Sequence, residues 1–229
     1  MLARTNHASR SVRWSPGILC SLIVLLSTCV LPFSQVHAAD SVTLTLNYTV
    51  IQGTCSVSVG SNQDATDGQL NFYDVQYAWK STDSWNQISL KPFYVKLSQC
   101  WGSPSSATQP MLTITGATDT ATEDSVNSSF MFVDNAKSSS TGFGFVIFNT
   151  ATNPVTNNAV PDINSSESDA RKYIAIPGKG KGTAVTSDTV VTLSAAVTCG
   201  STCSQGGNVN PNLRTGSING AVTFNFLYH

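Results

Sequence analysis

The residue types in this 229-residue chain that could carry out covalent or metal chemistry are six cysteines and three histidines. His7 and His37 lie in the first 38 residues, and His229 is the last residue. Nucleophiles activated by histidine, and histidine-based metal sites, need an imidazole beside a serine, a cysteine or a second ligand. With one histidine beyond residue 37, the sequence predicts a protein that is not an enzyme and that has no catalytic residues, no metal site and no cofactor.

Other groups that could act in catalysis are read as structural. Asp162, Glu167 and Asp169 fall in a polar stretch and are expected to be solvated. The segment 178–182 alternates glycine and lysine but lacks the Gly-Lys-Ser/Thr ending of a phosphate-binding loop, so we predict a turn. Five aromatic residues could hold a sugar, although we favour packing for them: Tyr73, Tyr77, Trp79, Trp85 and Trp101.

The first 38 residues are predicted to be a secretory signal peptide that is cleaved after Ala38. An apolar run, 18–31, follows a basic start and is too short to cross roughly 30 Å of hydrocarbon as a helix. A lipoprotein cleavage before Cys29 is the weaker alternative, because Thr28 suits that junction poorly. The basic residues of the start are Arg4, Arg10 and Arg13.

Cleavage leaves an even number of cysteines in an oxidising compartment, where disulfides are expected. Three connectivities are open to the four residues, which are Cys55, Cys100, Cys199 and Cys203. We favour Cys55–Cys100 and Cys199–Cys203. Loop-closure entropy gives about 4 kcal/mol to the first and about 2 kcal/mol to the second. The first pair is therefore expected to support the fold, and the second to trim a loop.

The rest of the chain is predicted to be all-β, because short alternating segments are separated by clusters of Ser, Thr, Asn, Gly and Pro. The candidate strands are 42–50, 55–59, 69–76, 88–97, 111–115, 130–134, 143–149, 173–176, 189–197 and 217–228. No segment has a helical period over three turns. Strands at this spacing favour one antiparallel sandwich. The formal charge of −1 includes the three arginines of the predicted signal peptide, and without them nine basic side chains face 13 acidic ones. The sequence therefore offers no basic patch for nucleic acid.

Several motifs together resemble the pilins of the chaperone–usher fimbrial family. The resemblance covers nearly all of 39–229 and rests on the alternating stretch 40–47, the approach to the first cysteine over 50–55, the second-cysteine strand 91–100, the glycine-led strand 142–150, Gly216 at the fourteenth position from the C-terminus, and the penultimate Tyr228. It implies a signal peptide over 1–38, a donor-strand extension over 39–51 and a pilin domain over 52–229. The implied fold is an incomplete immunoglobulin-like antiparallel sandwich that is completed by a donated strand.

The resemblance also implies how the protein works. A periplasmic chaperone would lend the missing strand, and at the outer-membrane usher the extension of a neighbouring pilin would replace it, building an adhesive fimbrium at the cell surface. The donor residues would be Val42, Leu44, Leu46, Tyr48 and Val50. The chaperone or acceptor groove would be bordered by Gly216, Val222, Phe224, Phe226 and Tyr228.

Two features depart from the family pattern. Tyr48 stands where donor extensions often carry glycine, and the stretch 199–212 is longer than usual and holds its own cysteine pair. We therefore expect a minor or adaptor subunit. The alternatives are a tip subunit that binds a host glycan or protein receptor, and a self-complete extracellular immunoglobulin-like binding domain. In the second alternative, residues 42–50 would pair within their own sheet. A hydrolase is the weakest alternative.

Overall fold

The computed structural model describes residues 42–48, 55–72, 85, 87–102, 104–120, 126–150, 158–205 and 208–229. All of them fall in a single compact unit, 40–229. Their structure is built from two main sheets and a small hairpin. Two four-residue helices, α1 (Asn127–Phe130) and α2 (Asp169–Lys172), lie between strands.

The first sheet has five strands in the order β3-β1-β11-β5-β7. Their bounds are β1 (Val42–Tyr48), β3 (Gln69–Phe72), β5 (Pro110–Gly116), β7 (Ile174–Ala175) and β11 (Ile218–Tyr228). Strand β1 runs parallel to β11 and antiparallel to β3, and the remaining pairs are antiparallel. The strand nearest the N-terminus thus lies inside the sheet, between its neighbours, and not at an edge.

The second sheet has four antiparallel strands in the order β2-β4-β8-β6. Their bounds are β2 (Ser56–Gly60), β4 (Ile88–Ser98), β6 (Gly144–Phe148) and β8 (Thr189–Thr198). A register shift between Ile88 and Lys91 interrupts the pairing of β4 with β8. The hairpin joins β9 (Ser204–Gln205) to β10 (Asn208–Val209).

The inner faces of the two sheets meet in one apolar core. Phe93 of β4 packs against Phe224 of β11 with ring centroids 5.7 Å apart, and Phe72 of β3 lies 5.4 Å from Phe145 of β6. In β11, buried and half-buried residues alternate along nearly the whole strand, as a strand with one covered face requires. The all-β class predicted from the sequence is therefore confirmed.

One predicted strand is wrong. Residues 130–134 do not form a strand: Phe130 ends α1, and Phe132 makes only isolated bridges to Thr118 and Phe145. Phe130 through Val133 are all buried, so the apolar run reflects a chain that is covered on every side. An apolar run of this length does not distinguish a strand from another buried segment.

The two disulfides are the pairs favoured from the sequence. Cys55 directly precedes β2, and its partner Cys100 lies just after the end of β4. Their bond therefore joins two paired strands of the second sheet. Cys199 follows β8 and bonds to Cys203 across a 3-10 turn, Gly200–Thr202.

Candidate functional site

The candidate site is the position of β1 between β3 and β11, which we call the β1 slot. Val42 lies opposite Ile218, Leu46 opposite Val222 and Tyr48 opposite Phe224. On the other side, Val42 lies opposite Phe72. The Leu46 amide donates to the carbonyl oxygen of Gly68 at 3.0 Å, just before β3 begins. Both edges of β1 are therefore engaged by backbone pairing.

The side chains of β1 alternate as the sequence predicts. Val42, Leu44 and Leu46 are buried, with at most 7% of their surface exposed, whereas Thr43 and Thr45 are half-buried and face away from the core. The side chain of Tyr48 and all of Val50 lie outside the described residues. Of the five predicted donor residues, three are placed by the structure on the inner face.

A notch at Gly220 receives the side chain of Leu44. The two residues are opposite each other in the register of β1 and β11. A Cβ atom on Gly220 would lie 3.2 Å from Cδ1 of Leu44 and 2.8 Å from Cδ2 of Phe145. Side chains from β1 and from the opposite sheet thus fill the space that Gly220 leaves open. Glycine within a strand often marks such a close approach, and this signal in the sequence could have identified Gly220.

The predicted groove residues Val222, Phe224 and Phe226 line the buried face of β11. Tyr228 is partly buried: its ring lies edge-on to Phe226, and its hydroxyl accepts from the Val185 amide at 3.4 Å. Pairing of β1 with β11 ends at Phe224 within the described residues, so Phe226 and Tyr228 lie beyond it.

Gly216 stands apart from the groove. It precedes β11, and the pairing with β1 begins only at Ile218. A Cβ atom on Gly216 would lie 2.7 Å from the backbone nitrogen of Ser140 and 2.6 Å from Oγ of Ser139. This glycine therefore allows the chain entering β11 to pass close to the loop at 139–140.

The loop before β3 supports the far side of the slot. Asp67 accepts hydrogen bonds from the amide and the hydroxyl of Ser61. Desolvation raises the pKa of Asp67, but the Ser61 hydrogen bonds, together with those from the backbone of Gln69 and of Asp67 itself, outweigh it and hold the pKa below its ordinary value. The Asp67 carboxylate accepts several local hydrogen bonds, which fix the turn before β3. This turn presents the Gly68 carbonyl to the Leu46 amide.

The second disulfide does more than trim a loop, which corrects the expectation from loop length alone. Cys199 and Cys203 are both fully buried and belong to the main apolar core. The turn between them is tied to α1, since the Ser201 amide donates to Oδ1 of the buried Asn127 at 2.9 Å. The pair therefore fixes the end of β8 against the core.

The carboxylates at 162–169 were expected to be solvated, and this is wrong for Asp162. Its side chain is buried and accepts from the amides of Gly116 at 2.8 Å and Asn164 at 2.7 Å. Glu167 forms an ion pair with Arg171 at 3.3 Å, while Asp169 is largely exposed. Asp162 acts as a structural acceptor that fixes a loop against the end of β5.

The five aromatic residues that could hold a sugar, but for which we favour packing, are only partly described. Trp101 is 74% exposed, and Trp85 packs edge-on against Phe130 with centroids 6.0 Å apart. Tyr73, Tyr77 and Trp79 lie outside the described residues. The segment 178–182 is a turn, as predicted, with Gly178 and Gly182 both at positive φ.

Within the described part of the chain, no group of three or more His, Cys, Asp or Glu residues is placed to hold a metal ion. No helix in that part is both long and apolar enough to span a membrane. No protein-family model matches the chain, and no curated protein is significantly similar to it.

Proposed function

We propose that this protein is a structural subunit of an adhesive surface fimbrium that polymerises by exchanging β1 between chains. In this proposal a periplasmic chaperone delivers the subunit to an outer-membrane usher. The observation that carries the proposal is the position of β1: a strand that would lie at the N-terminal end once residues 1–38 are removed fills an interior place in the first sheet. A strand that enters a sheet from a chain end can be supplied by another molecule without rethreading the fold.

The first sheet depends on this strand. Within the described residues, β3 is four residues long and pairs in this sheet with β1 alone. Without β1, the facing edge of β11 would present unpaired backbone groups above buried phenylalanines. Such an edge is a template for a strand from another chain. A chaperone strand or a neighbour's β1 would fill it by the same backbone pairing.

The contacts of β1 are large enough to drive docking. Burial of Val42, Leu44 and Leu46 is worth roughly 1.5–3 kcal/mol each, or about 5–9 kcal/mol in total as an upper bound. A neighbour's β1 would make the same contacts in the same slot. Exchange between identical slots therefore changes few contacts, and its equilibrium is governed by subunit concentration and by the supply of free slots.

The two antiparallel-rich sheets are compatible with the immunoglobulin-like sandwich of the proposal, with β1 as its completing strand. The buried Cys199–Cys203 pair and its turn distinguish this subunit from a plain rod pilin and favour the minor or adaptor role.

Cross-linking between single-cysteine variants tests the proposal. Thr45 and Ala221 are opposite each other on the outward side of β1 and β11. Neighbouring strands lie about 4.8 Å apart, a separation that a disulfide can bridge. Chains carrying Thr45→Cys are mixed with chains carrying Ala221→Cys and oxidised. We expect a covalent dimer, since β1 of one chain enters the slot of the other.

The control uses strands that are not exchanged in the proposal. Ser58 of β2 and Lys96 of β4 are also opposite each other and half-buried. Mixing Ser58→Cys chains with Lys96→Cys chains should give no covalent dimer above background. A dimer yield for the slot pair no higher than for this control would contradict strand exchange.

The direction of an exchanged strand can be read with a third residue. Thr43 lies opposite Asn219 when β1 runs as it does within its own chain. A strand reversed about Thr45 would instead bring Thr43 opposite Thr223. Thr43→Cys chains mixed with Asn219→Cys or Thr223→Cys chains therefore distinguish the two directions.

A second candidate is a self-complete extracellular binding domain. Its supporting observation is that β1 pairs within its own sheet, as that alternative requires. It would also have a place for a polar ligand: a surface cavity of about 420 Å³, which is lined by Ser61, Asp67, Gln69, Leu70, Asn71, Lys91 and Pro92. A stable monomer that gives no covalent dimer above the control in the mixing experiment would favour this candidate.

A further inference from the structure

We infer that Gly220 sets the size of side chain that the β1 slot accepts, and that the slot is selective for a leucine-sized residue at the position of Leu44. The inference rests on the proposed function only in assuming that a strand from another subunit occupies the place that β1 occupies here.

The register and the distances carry this inference. Position 220 is the only glycine on the inward face of β11, where the other residues paired with β1 are Ile218, Val222 and Phe224. The side chain of Leu44 is fully buried, and its Cδ1 atom reaches to 3.2 Å from where a Cβ atom on Gly220 would lie. A contact at this distance is tighter than ordinary van der Waals contact, so a methyl group there would push against Leu44.

The opposite wall of the notch cannot yield easily. The same Cβ atom would lie 2.8 Å from Cδ2 and 3.1 Å from Cε2 of Phe145. Phe145 is fully buried and packs against Phe72, so its ring is held by the core. β1 is held only by its pairing with β3 and β11 and by the packing of its inner face, whereas Phe145 belongs to a strand in the second sheet. We therefore expect the strain of a larger residue at 220 to displace β1 before it displaces Phe145.

Chemically, the notch recognises a γ-branched aliphatic side chain. A leucine at the facing position places a methyl group beside the space that Gly220 leaves open, whereas alanine would leave that side of the notch unfilled and cost the contacts of the missing methyl groups. Among the described donor residues, Leu44 is the one opposite a glycine; Val42 and Leu46 face Ile218 and Val222. The selectivity is therefore assigned to one position of the donor strand.

The test is a double-mutant cycle on the full mature chain, read by hydrogen exchange. The variants are Gly220→Ala, Leu44→Ala and the double variant. Gly220→Ala should speed exchange across 42–48 by roughly tenfold, the scale of forcing one methyl group into a filled core. Exchange in β8 should stay close to that of the unmodified chain. In the Gly220→Ala background, Leu44→Ala should have a clearly smaller effect than it has alone, because contacting residues couple.

Gly180→Ala is the matched control. A Cβ atom at Gly180 meets nothing within 4 Å, and its φ is not positive, so exchange across 42–48 should not change. Additive effects of Gly220→Ala and Leu44→Ala would overturn the inference, and so would equal acceleration in β1 and β8. If Gly220→Ala does not fold but the double variant does, the rescue supports the inference. If neither folds, Gly220 serves the packing of Phe145 and the inference fails.

A peptide competition then separates this inference from the proposed function. Peptides of sequence 40–50 with leucine or alanine at position 44 compete for the slot of the full chain. The ratio of the affinities of the leucine and alanine peptides should fall by roughly tenfold in Gly220→Ala. An unchanged preference would contradict selection by Gly220. If the double-mutant cycle shows coupling between Gly220 and Leu44 but neither peptide enters the slot, the inference about Gly220 stands and the proposed strand exchange is contradicted.

Discussion

β1 and β8 hold comparable positions, since each is an interior strand of its sheet, but they are attached to the molecule in different ways. β8 is held by β4 and β6 and is followed at once by the buried Cys199–Cys203 bond. From Leu193 to Thr198 every residue of β8 is buried, so both faces are covered. β1 is buried on one face only, and no disulfide lies within it.

The comparison shows that the two sheets have different kinds of stability. The second sheet is stabilised by its own strands and by a covalent bond between β2 and β4. The first sheet is completed by a strand that only non-covalent contacts retain. A strand held in this way is one that the proposed exchange could replace with a strand of the same pattern, whereas β8 could leave only if the whole core opened.

The largest effect should come from removing β1. In a chain of residues 39–229, deletion of residues 39–50 removes roughly 5–9 kcal/mol of gross apolar burial, which is comparable to the entire stability of a typical domain. We expect the deletion variant to show no cooperative thermal transition. A matched deletion in β8 would test nothing further, because it would remove the centre of the core.

Supplying the strand again should restore folding. Residues 40–50 are fused after His229 in the deletion variant. β11 has 11 residues, about 36 Å of extended chain, so a linker of about 20 Gly and Ser residues allows either strand direction. A linker of about four residues allows only the reversed direction, in which the added strand runs antiparallel to β11. Recovery of the transition is measured by thermal unfolding. If the deletion variant is already as stable as the intact chain, the slot does not require β1.

The next largest effect should come from a charge in the slot. Leu46→Asp places a carboxylate among buried apolar side chains and removes the packing of Leu46, at a cost of at least about 3 kcal/mol. Thr45→Asp, on the outward side of the same strand, should cost under about 1 kcal/mol. Urea unfolding measures both variants. Equal losses in the two would mean that the faces of β1 are not differentiated.

The disulfides should give intermediate effects that sharpen the contrast between the sheets. From loop closure alone, Cys55→Ala with Cys100→Ala should cost about 4 kcal/mol, and Cys199→Ala with Cys203→Ala about 2 kcal/mol. Because the second pair is fully buried, its loss should also leave a defect in the core. The difference in lost stability between the two double variants should therefore be smaller than loop closure alone predicts. Denaturant unfolding of both double variants measures the difference. A loss of only about 2 kcal/mol for the second pair would show that it serves only to close its loop.

The smallest effect should be the acid dependence due to Asp67. Its pKa in the folded chain lies below the ordinary value of 3.8. The stabilisation is therefore present above the pKa of the unfolded chain and is lost as the pH falls through the lower folded value. Asp67→Asn should remove this part of the acid dependence. Asp64→Asn, in the same loop, is the control. Unfolding midpoints measured from neutral pH to below 3.8 should differ in slope only for Asp67→Asn.

Much of the fold follows from local patterns in the sequence. Period-two alternation predicted the inward residues of β1 and β11, because a half-buried strand places successive side chains on opposite faces. Both disulfide pairs that the sequence favours are formed in the structure. The run at 130–134 was predicted wrongly, since a short apolar segment buried on all sides carries no periodic signal.

The candidate site was determined by the sequence only in part. The sequence determined that residues 42–46 and the end of the chain each form a strand with one apolar face. Only the tertiary structure decided that these two strands run parallel, that β3 closes the slot, and that Leu44 lies over Gly220. It also decided that Asp162 is buried and that the second disulfide belongs to the core. Alternation is a property of neighbours along the chain, whereas register, notches and burial depend on contacts between residues far apart in sequence. Leu44 and Gly220, for example, are 176 positions apart.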